Sequence, residues 1–281
     1  MKVIEYIKTI QKQEHSFRFI VSKIFFRLKI CKYFNFKYKH HILKFNPTYL
    51  SRILWVDPTH GHSGTKTEDF IWNYLEEGGI FIDVGANIGT TTLEASKKVG
   101  IKGMVFSFEA NTRIFKFLKI NISLNNSKNI RTFNYAIGEK SQDVFISDGF
   151  ADESNSVQVD KNGILVKMKT LDEIIPRDLK IDLMKIDVLG YEKFVLKGGK
   201  QTIKNTSCIH FPAIEHFYKK YNYNYEEIFN YLEENGFIIH ILDEEGLLKK
   251  ISDDFKPKIG DYIAIKNNEE ILVRLENKVF L

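Results

Sequence analysis

The 281-residue sequence predicts a doubly wound α/β fold with a mostly parallel sheet, preceded by a basic helical extension. Three observations carry this reading. From residue 80 onward, short apolar runs alternate with helix-length amphipathic segments, the rhythm of strands joined by right-handed crossovers. The first of those runs ends in a glycine loop, Gly85-Ala-Asn-Ile-Gly89. Charge is also segregated: residues 1–52 hold 12 Lys/Arg against 2 Asp/Glu, a local +10, so the rest of the chain sits at −5.

Composition excludes several classes. With 43% hydrophobic residues, 23 Phe and 13 Tyr, the chain buries a core rather than staying disordered. With 17 Gly and 5 Pro it is neither collagen-like nor linker-rich. Cys31 and Cys208 are distant in sequence, so no disulfide framework is expected and a reducing compartment fits. No C-x-x-C spacing points to a metal. Uncharged runs such as Val84–Leu93 and Asn205–Ile214 fall far short of the ~20 apolar residues of a membrane span. The opening MKVIEYIKTIQKQEH has neither a long apolar core nor a small-residue cleavage site, so no signal peptide is expected. A cytoplasmic location follows, with the basic extension free to touch an anionic inner membrane face.

In the extension, Phe17, Ile20, Val21, Ile24, Leu28 and Cys31 recur at helical spacing between basic residues, predicting one or two amphipathic helices over residues 1–52. Residues 53–67 form a strand-like piece and a loop. His60 and His62 there lack a third ligand and read as loop residues. A helix opens near Thr67-Glu-Asp and stops at Gly78-Gly79, which sets a boundary between an extension, 1–67, and a main domain, 68–281. Five strands are expected at Ile80–Val84, Met104–Phe108, Ile130–Tyr135, Ile181–Ile186 and Ser207–Ile214. Helices are expected over 90–99, 111–125, 191–204 and 223–235, and late strands at Phe237–Leu242 and Tyr262–Ile265 bring the sheet to seven, closing on an antiparallel edge hairpin. Short strands interrupt the rhythm between 143 and 172, around a loop at Ser147–Ser156.

In a sheet of this kind ligands sit at the carboxyl ends of the strands, where strand order reverses. Asp83 ends the first strand, Gly85 and Gly89 flank a tight turn, and small Ala86 keeps the approach open. The next helix aims its free N–H groups at this loop. The glycine spacing is neither the dinucleotide fingerprint nor a phosphate loop, and the preceding acid suits a cationic ligand. Glu109 ends the second strand, twenty residues after Gly89, where a carboxylate accepts both hydroxyls of a ribose. Asp187 ends the fourth strand before Gly190, Tyr191 and Glu192, as either a helix cap or a carboxylate facing a reacting group.

Taken as a set, FIDVGANIG, the F-S-F-E-A strand end, Asn134–Glu139, Thr170–Ile174 and KIDVLGYE followed by VLKGG resemble the FkbM-type family of S-adenosylmethionine-dependent methyltransferases over roughly residues 68–250. The resemblance implies a Rossmann-like, class I methyltransferase sheet of seven strands and S-adenosyl-L-methionine as cofactor. It implies O-methylation of hydroxyls on sugars, polyketides and related small molecules. Carried over by position, Asp83, Gly85, Asn87 and Gly89 would surround the methionine part, with Ala86 in the same loop. Glu109 would hold the ribose, Ala136 and Ile137 would flank the adenine, and Glu68 would reach the amino group. The family's D-V-E-G is Asp187-Val-Leu-Gly190 here, so Leu189 replaces an acid.

Methyl transfer from a sulfonium is an in-line displacement, and an alkyl hydroxyl benefits from a base. Asp187 is the first candidate, then Glu215 or His216 after the fifth strand, then Glu192. His210, Phe211 and His240 read as core. Asp152, Glu153 and Ser154 lie on a loop placed to contact substrate, and no resident metal is expected. Two alternatives stand beside this reading. One is a nucleic-acid methyltransferase holding phosphates with the basic arm, although no Asn/Asp-Pro-Pro-Tyr/Phe segment follows the fourth strand. The other is a cofactor-binding member that lost turnover with Leu189. Removal of residues 1–52 is expected to leave cofactor binding intact.

Overall fold

The computed structural model describes residues 15–57, 63–149, 155–158, 162–243, 246–252, 255, 259–275 and 278–280. His60, His62, Asp152, Glu153 and Ser154 lie outside the described residues.

The extension begins with helix α1, Ser16–Arg27, and a single 3₁₀ turn, Cys31–Tyr33. It continues into a hairpin of β1, Asn35–Tyr38, and β2, His41–Lys44, and then α2, Tyr49–Val56. The hairpin corrects the all-helical expectation. Phe36, Tyr38, His41 and Leu43 turn inward while Lys37 and Ile42 turn outward, a period of two that overrides the helical spacing of the preceding segment. Aromatic packing holds the extension together. Phe45 is fully buried, with its ring stacked 5.1 Å from Trp55 and Phe26 at 5.5 Å.

The main body follows in chain order. Helix α3 (Ser63–Tyr74) leads to β3 (Ile80–Val84), α4 (Thr90–Val99), β4 (Met104–Phe108), α5 (Thr112–Leu124) and β5 (Ile130–Phe133). A small second sheet comprises β6 (Ala136–Ile137), β7 (Gln142–Ile146), β8 (Val157–Gln158) and β9 (Ile164–Lys169). Then come α6 (Leu171–Ile174), β10 (Ile181–Ile186), α7 (Glu192–Lys197), α8 (Lys200–Lys204), β11 (Thr206–Ala213), α9 (Glu215–Lys219) and α10 (Tyr225–Glu234). The chain closes with β12 (Phe237–Leu242), β13 (Leu248–Lys250), β14 (Gly260–Lys266) and α11 (Glu269–Leu275). Helix α3 starts before the expected boundary at residue 67, so Glu68 lies inside the helix and not in its first turn.

The main sheet runs β13-β12-β14-β11-β10-β3-β4-β5. Strands β11, β10, β3, β4 and β5 are parallel, and β14 is inserted antiparallel between β11 and β12. All seven expected strands are present, and short β13 adds an eighth at the edge. Chain order reverses between β3 and β10, which creates the crevice at their carboxyl ends. Both sheet faces are covered, which is why the strands read as continuous apolar runs. Phe81, Val105, Leu183 and Ile263 pack on one face, while Ile82, Phe106, Met184 and Ala264 pack on the other.

The expected helix over 191–204 is two helices, broken at Gly198-Gly199. Gly198 lies against the chain before β7: a Cβ there would stand 1.9 Å from the Gly138 carbonyl oxygen. The extension docks through α5. The side-chain amide oxygens of Asn125 and Asn121 accept the backbone N–H groups of Ile42 and Lys44, each at 2.8 Å. Among the described residues no helix is long and apolar enough to cross a membrane. Gly198→Ala is expected to destabilise the fold by about 2 kcal/mol or more, because backbone rather than a side-chain tip must move. Urea unfolding with an unchanged m-value checks it.

Candidate functional site

The crevice at the strand ends opens into a cavity of about 510 Å³. Its floor is the glycine loop after β3. Gly85 sits at φ +86°, and a Cβ there would lie 2.0 Å from the Asp187 carbonyl oxygen. Only glycine lets the two strand ends close on each other, and Asp187 N–H donates to the Val84 carbonyl at 2.9 Å to seal the junction. Gly89 caps the start of α4 at φ 95° but does not line the cavity.

Asp83 lies beneath this loop, fully buried. Its carboxylate accepts the hydroxyls of Thr91 at 2.8 Å and Thr92 at 2.6 Å, and Lys185 Nζ stands 3.4 Å away. The structure therefore corrects its expected contact with the methionine part, since all of these partners hold it under the loop and none of it lines the cavity. Lys185 belongs to the site although no motif assigns it a role. Its Nζ bridges Asp83 and Asp187 at 3.4 and 3.7 Å and donates to the Gly85 carbonyl at 3.3 Å. Burial works against this ammonium, but the two aspartates outweigh it and raise its pKa. The signal for it in the sequence is a lysine close to the carboxyl end of the strand, after the apolar pair Leu183-Met184.

Glu109 faces the cavity from the end of β4. Its two oxygens accept the backbone N–H groups of Asn87 and Asn111, both at 2.8 Å, tying the glycine loop to the start of α5. Burial pushes its pKa up to about 7 against the pull of those two N–H donors. Asn87 adopts φ 50°, and its side-chain oxygen is buried at the cavity without a protein partner. Ala86, Ala136 and Ile137 complete the apolar part of the wall.

Glu68 enters from α3, buried and accepting the Tyr38 hydroxyl at 2.5 Å. Burial raises its pKa to about 7 as well. Tyr38, Leu50 and Leu54 come from the extension and line the same cavity. The expectation that residues 1–52 can be removed without touching cofactor binding is therefore corrected, because the extension is part of the wall.

Asp187, Leu189 and Asp261 also line the wall. Asp261 comes from β14, beside Pro212 of β11, and burial and then the Asp187 charge raise its pKa to about 6. Leu189 stands at φ 52° and offers only carbon to the cavity. His210, read as core, is buried yet reaches the cavity with an unpartnered Nδ1. Burial and then Lys185 push its pKa down to about 3, so the ring is neutral. Glu215 and His216 do not reach the cavity. Glu215 accepts the Tyr225 N–H at 3.3 Å and ties α9 to α10, and the His216 ring lies 5.7 Å from Phe217. Glu192 is buried behind the loop, accepting the Val188 N–H at 3.0 Å. No group of three or more metal-ligating side chains occurs among the described residues.

A doubly wound sheet, a glycine loop at its switch point and carboxylates facing a nucleoside-sized crevice define a class I S-adenosylmethionine-dependent methyltransferase. The orphaned Asn87 oxygen and the carboxylates Glu68 and Glu109 in the cavity wall fit a cationic cofactor rich in donors. The family described as Methyltransferase FkbM domain matches residues 83–239, and the chain belongs to it. It is 36% identical over 69 residues to a tRNA (guanine(37)-N(1))-methyltransferase of Plasmodium knowlesi (strain H), covering 25% of this chain and 10% of that one. A Plasmodium vivax (strain Salvador I) counterpart matches at 35% over the same length, so the chain spans about a tenth of these curated relatives. Among solved structures, a SAM-dependent O-methyltransferase from Thermotoga maritima aligns at TM-score 0.45 and 14% identity, covering 81% of this chain and 74% of that one. M. jannaschii TYW2 in complex with AdoMet aligns at TM-score 0.44 and 16% identity, covering 82% and 84%.

Glu68 and Glu109 titrate near neutrality, and only their ionised forms attract a cation. Affinity for S-adenosylmethionine is therefore expected to fall as pH drops from 8 to 6, about tenfold for each carboxylate that must be ionised. Isothermal titration across that range checks it, and Glu109→Gln should flatten the profile. A flat wild-type profile would remove these carboxylates from cofactor recognition.

Proposed function

We propose that the chain methylates a hydroxyl oxygen on a sugar, a glycan or a related small molecule. The observation that carries this reading is the cluster of Asp187, Lys185 and Asp261 in the wall of the same cavity. It offers carboxylates to an incoming hydroxyl and one ammonium to balance them. When bound, the cofactor supplies an electrophilic methyl group on a sulfonium. Glu109 and Asn87 would hold the ribose and the neighbouring polar groups, Glu68 the amino group, and Ala136 and Ile137 the adenine. Asp187 would accept the hydroxyl proton, and Lys185 would keep that carboxylate aimed into the cavity. Leu189 would provide an apolar wall against the acceptor where relatives carry an acid.

A nucleic-acid acceptor is the competing reading, favoured by the 69-residue match to the two tRNA methyltransferases and by the +10 extension. Against it, Asp187-Val-Leu-Gly190 lacks the polar and aromatic segment that would grip a base amino group. Incubation with methyl-labelled cofactor and parallel panels of saccharides and total tRNA separates the two. Label in an O-methyl sugar supports the proposal, and label confined to tRNA overturns it. Asp187→Asn is expected to lower kcat by about a hundredfold or more while leaving cofactor affinity within about threefold. An unchanged kcat would exclude Asp187 as the base.

A further inference from the structure

We infer that helix α1 and the turn after it form a docking surface for an anionic lipid bilayer. Four apolar side chains of α1 and its cap face solvent in one stripe: Phe17 (79% exposed), Ile20 (39%), Ile24 (48%) and Leu28 (60%). At 100° per residue these positions fall within roughly 80° of arc. The opposite face carries Phe26 and buried Ser22 against the rest of the extension, so the helix is already packed and the stripe is a second, outward face. Tyr33, 71% exposed, carries the apolar surface past the helix end.

Basic residues border this stripe. Lys23 and Arg27 lie along one side of the wheel and Arg18 along the other, with exposed Lys29 and Lys32 beyond the last turn. Lys23 Nζ and Lys32 Nζ each stand over an aromatic ring, at 4.5 Å from Phe19 and 5.2 Å from Tyr33, the pairing of cation and ring that suits a headgroup boundary. An apolar stripe edged by cations is complementary to acyl chains beneath anionic headgroups. At 12 residues α1 is about 18 Å long, too short to span, so it would lie in the interface plane. The charge division gives the contact a direction. The remaining chain, at −5, is repelled by an anionic surface that the +10 extension attracts. Because Tyr38, Leu50 and Leu54 of the same extension wall the cavity, docking holds the cavity near the bilayer and favours acceptors presented there.

Vesicle flotation of the full chain tests this. Vesicles of phosphatidylcholine alone are compared with vesicles holding about 30% phosphatidylglycerol, at roughly 0.1 M and roughly 1 M salt. The chain is expected to float with the anionic vesicles and to be released by high salt. The triple variant Phe17→Ser, Ile24→Ser, Leu28→Ser should lose about tenfold or more in partitioning, and so should Arg27→Glu with Lys29→Glu and Lys32→Glu. All six side chains are exposed. Circular dichroism and cofactor titration of the variants should match wild type, which separates lost docking from lost folding. The proposal is overturned if wild type binds neutral and anionic vesicles equally, or if the serine variant floats like wild type. It is also overturned if the stripe instead drives dimerisation or tRNA retention without vesicle binding.

Discussion

The buried pair of Asp83 and Lys185 joins the glycine loop, the start of α4 and Asp187. Asp83 ends β3 and Lys185 sits near the end of β10, the two strands between which chain order reverses. One carboxylate oxygen takes both threonine hydroxyls at the start of α4, and the other faces the ammonium. The glycine loop is thereby pinned from below, and the ammonium reaches on to Asp187 in the cavity. Two charges removed from water are costly, and losing one partner typically costs about 3–5 kcal/mol because the other is left uncompensated. The pair is thus a stringent condition on the geometry of the crevice.

Around this pair the carboxylates divide by environment. Glu68 and Glu109 are buried among apolar side chains and backbone donors, so both hold protons more tightly than in water. Asp187, with a side chain 44% exposed, meets solvent at the cavity wall. Burial and the placing of one lysine thus set these carboxylates apart within one cavity.

The extension belongs to this arrangement more closely than its composition implies. Its hairpin delivers Tyr38 to Glu68, and His40 in the turn and His41 at the start of β2 both face the buried Glu94 of α4. Burial opposes the Glu94 charge, but the two histidines outweigh it and lower the pKa of the carboxyl. A basic segment therefore neutralises acids of the body from inside while presenting its own apolar and cationic outer face.

Much of the fold and several residues of the cavity wall are legible in the sequence alone. Strand and helix periods depend on neighbours a few positions apart, and the loop from Gly85 to Gly89, the strand-end Glu109 and Asp187 are signals contained within single segments. The β1–β2 hairpin was missed because basic and aromatic residues there satisfy a helical spacing as readily as an alternating one, and only pairing and burial decide between them. Glu215 and His216 sit at a strand end like Asp187, yet the start of α9 turns them away from the cavity, a direction no local pattern carries. Asp261 depends on β14 entering the sheet beside β11, some fifty residues away in sequence. Lys185, Asp261 and Tyr38 come from three distant segments and line one cavity only because long-range strand pairing and side-chain packing bring those segments together. The sequence alone therefore determined the class of fold and the glycine loop after the first strand of the main sheet. The tertiary structure decided which charges face one another, because that depends on distance and burial rather than on order along the chain.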